Sequence, residues 1–168
     1  MKRTLTSLFL VSILAIGGSA FAQTAPAADT AVTAAAEGSY PAGTVYNGVP
    51  ISGINFSSGA LVAGDNTGAD GRVSIELLGP STPVGQQIIT VKAQITTGSR
   101  TAANVAVLNG TASVDMGDGT PAVTGIPIVA TITTDANNQG TVGVVLGATQ
   151  LPAASIGDGT MTVEDLGQ

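Results

Sequence analysis

The chain has 168 residues, no cysteine, no histidine, no tryptophan and a formal charge of −6. Without cysteine there are no disulfides, thiolate metal sites or thiol nucleophile; without histidine the commonest general base and zinc ligand near neutral pH is missing. The acidic balance excludes nucleic acid as an expected partner, because binding to phosphates needs clustered Lys and Arg.

The first elements read as an export signal. Lys2 and Arg3 form a basic start, Leu5 to Ile16 an apolar core, and Ala20-Phe21-Ala22 a small-x-small cleavage site before Gln23. The core is about a dozen residues, too short to cross a bilayer of roughly 30 Å as a helix. We therefore expect a signal peptide over residues 1–22, cleavage after Ala22, a secreted or periplasmic product and no membrane insertion after signal removal. Cleavage leaves three basic residues, Arg72, Lys92 and Arg100, against eleven acidic ones, a formal charge of −8. The remaining stretch, roughly 146 residues, is enough for one domain with a sizeable core.

Residues 23–39 (QTAPAADTAVTAAAEGS) are Ala- and Thr-rich and read as a flexible leader, with a helix through Ala31 to Glu37 as the alternative because alanine favours helices. The ordered domain is expected over residues 40–168.

From there the apolar residues recur with period two, the mark of half-buried strands. Val73, Ile75 and Leu77 form one inward face; Ile89, Val91, Ala93 and Ile95 a second; Ile126, Ile128, Ala130 and Ile132 a third; Val142, Val144 and Leu146 a fourth; Met161 and Val163 a short last one. Turn-forming residues separate them: Gly64–Gly71, Gly79–Gly85, Gly117–Gly125 and Asp135–Gly140. Asn109-Gly110, between two apolar runs, predicts a two-residue hairpin turn. Gly-Asp-Gly-Thr occurs at Gly117–Thr120 and Gly157–Thr160 and reads as a turn used twice. The pattern predicts an all-β fold, a single antiparallel β-sandwich of about seven to nine strands, with a small β-barrel as the alternative.

Candidate sites are sparse. Asp135, Asn137, Gln139 and Gly140 imitate the opening of a calcium loop, but Leu146 stands where the bidentate glutamate belongs, so a hairpin turn is the expectation there. Asp115 with Asp118, and Asp65 with Asp70, have the same reading. The mature glutamates are Glu37, Glu76 and Glu164; Glu37 falls in the leader and Glu76 on an outward face, so no carboxylate pair for glycoside hydrolysis is expected. No Gly-x-Ser-x-Gly or Ser-x-x-Lys motif occurs. Asn55-Phe56-Ser57 and Asn109-Gly110-Thr111 fit the N-x-S/T pattern, which is too short to assign a glycan. Tyr40, Tyr46 and Phe56 are the only aromatics left for stacking a ligand. No catalytic, cofactor or metal residue is assigned and the chain is not expected to be an enzyme.

Residues 91–165 carry a resemblance. Val91-Lys92-Ala93-Gln94-Ile95, Asn104-Val105-Ala106-Val107 with Asn109-Gly110, and Thr133-Thr134-Asp135-Ala136-Asn137 leading through Gly140 to Val142-Gly143-Val144 resemble bacterial immunoglobulin-like domains of invasin and intimin type. The resemblance implies an immunoglobulin-like sandwich and a role in adhesion or spacing at a cell surface. The expected function is an exported, non-catalytic structural or interaction module at the bacterial cell envelope or outside it, its partner an unidentified protein or cell-surface component. Two alternatives remain open: a polymerising fibre or pilus-type subunit, in which the leader donates a strand to a neighbour, and a β-barrel binder of a small apolar ligand or carbohydrate.

Overall fold

A computed structural model describes residues 27–82 and 85–167. The expected signal peptide and its cleavage site lie outside the described residues. The strands are β1 (Thr30–Ser39), β2 (Val45–Tyr46), β3 (Val49–Pro50), β4 (Gly53–Val62), β5 (Ala69–Thr82), β6 (Gly85–Ala102), β7 (Val105–Asp115), β8 (Val123–Thr134), β9 (Gly140–Leu146), β10 (Thr149–Gln150) and β11 (Ala154–Asp165). No helix occurs among the described residues.

The main sheet runs in the order β10-β9-β11-β1-β4-β5-β6-β7-β8, and β8 also pairs with β9. That last pairing closes the sheet. Apart from the short hairpin strands, neighbours around the ring follow chain order and are antiparallel throughout. The expected antiparallel all-β fold is present, in a closed, barrel-like form with up-and-down connectivity. The immunoglobulin-like arrangement implied by the resemblance uses Greek-key crossovers, whereas this ring follows chain order.

Period-two alternation explains which face is inside. Val73, Ile75 and Leu77 of β5, Ile89, Val91, Ala93 and Ile95 of β6, and Ile128, Ala130 and Ile132 of β8 are all buried, as are Val142, Val144 and Leu146 of β9 and Met161 and Val163 of β11. They belong to one continuous core cluster, with Ile126 packed against its margin. Every inward-facing set read from the sequence is on the predicted side.

Four expectations need correction. Thr30–Ser39, expected to be part of a flexible leader, forms β1, paired with β11 on one side and β4 on the other. Its inward residues Val32, Ala34 and Ala36 are small, so no strong apolar alternation announces the strand. They lie beside larger partners instead: Ala36 opposite Phe56 and Ala34 opposite Met161. The ordered domain accordingly starts before Tyr40.

Asn109-Gly110 is not a turn. It lies inside β7, where Gly110 pairs with Ile95 and Asn109 with Thr97, so that β6 carries the extra residue of a bulge. A Cβ on Gly110 would run into the Gln94 carbonyl oxygen, so glycine is needed for close strand approach at a bend. The two-residue hairpin is formed by the other Asn-Gly pair, Asn47 (φ 47°) and Gly48 (φ 82°), which join β2 to β3. Both central residues have the positive φ such a turn demands.

The second Gly-Asp-Gly-Thr is also not a turn. Gly157–Thr160 lies within β11, where the register shifts opposite Glu37 and Gly38. Gly119 and Gly159 share φ 84°, but Gly117 has φ 67° while Gly157 lies outside the positive-φ region, so the two copies differ at their first glycine: one is a loop and the other a bulge in a strand. The remaining joins fall in or beside the connections expected: the β4–β5, β5–β6, β7–β8 and β8–β9 links.

Candidate functional site

The polar side chains that alternate with the core residues point outward, and a broad depression on that exterior crosses β4, β5 and β6. Two cross-strand rows define it: Ser57, Ser74 and Lys92 stand opposite one another in one, and Gly59, Arg72 and Gln94 in the next. An open groove of about 840 Å³ lies over them. A Cβ at Gly59 would meet nothing within 4 Å, so the exterior is open at this position opposite Arg72.

Arg72 and Lys92 are diagonal neighbours on this face. Among the described residues the ion pair is Arg100 with Asp165; Arg72 and Lys92 make none. The nearby acids have amide partners instead: Gln94 Nε2 donates to Asp70 Oδ1 at 3.1 Å, and Asn55 Nδ2 donates to Glu76 Oε2 at 2.9 Å. Of the three cations among the described residues, Arg72 and Lys92 thus stand without an ion pair on one patch of an acidic protein.

A second groove of about 490 Å³ shares Ser57 and Ser74 with the first. Its lining includes Glu37, Glu76 and Asp158, which lie in one cross-strand row: Asp158 opposite Glu37, Glu37 opposite Asn55, Asn55 opposite Glu76. The sequence alone puts Glu37 in a leader and Glu76 on an outward strand face. Once residues 30–39 form a strand, the register brings them onto the same face. Arg72, Ser74 and Glu76 alternate outward along β5, so Arg72 and Glu76 are roughly 13 Å apart along that strand at about 3.3 Å per residue.

The aspartates singled out for calcium are occupied by turns. Asp135 Oδ1 accepts the backbone N–H of Asn137 at 2.8 Å and of Gln139 at 3.0 Å. Asp65 accepts from the Thr67 N–H and hydroxyl, Asp118 from the Thr120 N–H and hydroxyl, and Asp115 from the Gly117 N–H. The threonine hydroxyls hold the Asp65 and Asp118 carboxyls below the usual carboxylate range. Among the described residues no group of three or more acidic side chains converges as a metal site would require.

All three aromatics among the described residues are buried: Tyr40, Tyr46 and Phe56. They close and fill the ring and are not platforms for a ligand. The β2–β3 hairpin brings Tyr46 and Ile51 into the core, pinned by the Ile51 N–H to the Thr44 carbonyl (3.0 Å) and the Tyr40 N–H to the Ser52 carbonyl (2.9 Å). The Tyr40 hydroxyl is buried without a hydrogen-bond partner, and burial pushes its pKa well above the ordinary phenol value.

No protein-family model, curated protein or solved structure matches this chain.

Proposed function

We propose that the protein is an exported, non-catalytic interaction module that works at the bacterial cell envelope or outside it and binds through its exterior face. The observation that carries this reading is the division of chemistry between the two faces of the sheet. Apolar side chains from every strand of the ring fill the inside in one continuous cluster, and among the described residues the charged groups stand outside. An interior so occupied argues against the small apolar ligand of the barrel-binder alternative. A membrane-spanning barrel has the opposite polarity, an apolar outer band around a polar interior, which supports a barrel that stays in water.

The exterior row of carboxylates does not favour hydrolysis. Glu37 and Asp158 are exposed and Glu76 is tied to Asn55, so no carboxyl pair is held in a water-excluded pocket. Ser57 and Ser74 have no histidine to activate them.

The polymerising-subunit alternative needs the N-terminal segment free to enter a neighbour, and β1 is already paired on both edges within its own chain. The test is fractionation of the producing cells followed by co-sedimentation of the exported protein with isolated envelopes. Recovery outside the cytoplasm with Gln23 as first residue, and saturable sedimentation, are expected. Retention in the cytosol, or no sedimentation with any envelope fraction, overturns the proposal.

A further inference from the structure

We infer that the two joined grooves form one binding furrow for a zwitterionic glycopeptide, an oligomer bearing amino and carboxyl groups on an amide- and hydroxyl-rich chain. This rests on the proposed envelope role and assigns it a ligand class.

The charge layout carries the inference. Arg72 and Lys92, neither in an ion pair, occupy one end and outnumber the single carboxylate there, Asp70, which accepts from the Gln94 amide. Glu37, Glu76 and Asp158 occupy the other, and Ser57 and Ser74 line both. A carboxylate of the ligand fits the cationic end, where Arg72 offers a planar donor fork. An amine fits the acidic end, and hydroxyl or amide groups between them meet serine hydroxyls that donate and accept.

Rival occupants fit less well. A polyanion extended along the furrow from Arg72 and Lys92 would meet the Glu76 carboxylate about 13 Å along β5, and Glu37 and Asp158 further across the sheet. A peptide adding itself as a strand needs a free sheet edge, and here β4 and β5 lie between paired neighbours. A second copy would need an apolar interface core, and none of the exposed large apolar side chains (Val45, Leu61, Ile88, Val123, Leu166) lines either groove.

The experiment is titration of the exported protein with soluble cell-wall glycopeptide fragments, followed by calorimetry and by NMR of backbone amides. Saturable binding that weakens with salt is expected, with shifts concentrated on residues 55–59, 72–76 and 92–94. Arg72→Ala with Lys92→Ala, and separately Glu37→Gln with Glu76→Gln, should each weaken binding at least tenfold while leaving the amide spectrum folded. Acetylating the ligand's amines should reproduce the second loss. Binding that ignores the glutamine variants and the acetylation would mean a plain anion site and overturns the inference, as does absence of binding by the folded protein. If envelope sedimentation persists while the fragments fail to bind, only the ligand assignment falls; if sedimentation also fails, the proposed function falls with it.

Discussion

At the scale of single residues, position in the ring decides what each side chain contributes. Phe56 is 2% exposed and fills the space left by Ala36 across the strand pair. Phe56→Ala removes that volume where the neighbours cannot collapse, and should cost about 3–5 kcal/mol in urea unfolding. Gly110→Ala should cost about 1–3 kcal/mol, because the added methyl meets the carbonyl of Gln94 and not a flexible side chain. Gly59→Ala, facing open space, should leave stability nearly unchanged and serves as the matched control. The Tyr40 hydroxyl is buried and unpartnered, so Tyr40→Phe should stabilise the fold by about 1 kcal/mol. A loss of stability in that variant would mean the hydroxyl has a partner.

At the scale of elements, the strands with large β-branched residues were legible and the alanine-rich one was not. Ile89 to Ile95 and Val142 to Leu146 alternate strongly enough to read directly. In β1 the inward residues are Val32, Ala34 and Ala36, and their signal is carried by the partners Met161 and Phe56, which are far away in sequence. The Asn-Gly signal was real, but it was read at the wrong copy. Asn109-Gly110 sits between apolar runs that look like two strands and are one long bent strand. Asn47-Gly48 joins two-residue strands too short to show periodicity. The furrow was illegible for a related reason: parity places Arg72 and Lys92 on outward faces, but only register puts them beside each other and brings Glu37 into line with Glu76. A truncation that removes residues 30–39 tests the assignment of β1. It should abolish cooperative unfolding, since it exposes the edges of both β4 and β11; a dispensable leader would leave the transition unchanged.

For the whole molecule, closure leaves few exposed edges, and those are guarded. Beyond Ile156 the side of β11 turned away from β1 has no strand partner. There the Met161 N–H donates to the Asn138 carbonyl at 2.6 Å and Gln139 Nε2 donates to the Gly157 carbonyl at 3.2 Å. Arg100 binds Asp165 while donating to the carbonyls of Ala102 (3.2 Å) and Ala103 (2.7 Å), which ties the β6–β7 connection to the end of β11. The start of β8 carries Pro127 and Gly125 at φ 75°, both poor templates for another strand.

The same groups set the pH range. Arg100 holds the Asp165 carboxyl below its ordinary value, as the threonines do for Asp65 and Asp118. Their folded-state pKa values are depressed, so the unfolded chain binds more protons through this window. Their contribution is present above about pH 4 and is lost as pH falls through the lower folded values. Burial raises the phenol pKa of Tyr40 and Tyr46, so their contribution is complete below about pH 10 and is lost as pH rises beyond it. Urea midpoints measured across pH should therefore form a plateau that falls at both ends. Asp165→Asn should flatten the acid side, and Tyr40→Phe the alkaline side.

The central claim is that the first and last long strands of one chain pair with each other to complete a closed, self-contained sheet. Thr33 and Thr162 face each other across that seam with their hydroxyls 2.8 Å apart, and the chain has no cysteine to confuse the result. The direct measurement is a Thr33→Cys/Thr162→Cys double variant treated with a short thiol-reactive crosslinker. A crosslink within a single chain is expected, at monomer mass and with the β spectrum unchanged. Crosslinks only between chains, or two thiols that stay apart in folded protein, would contradict it.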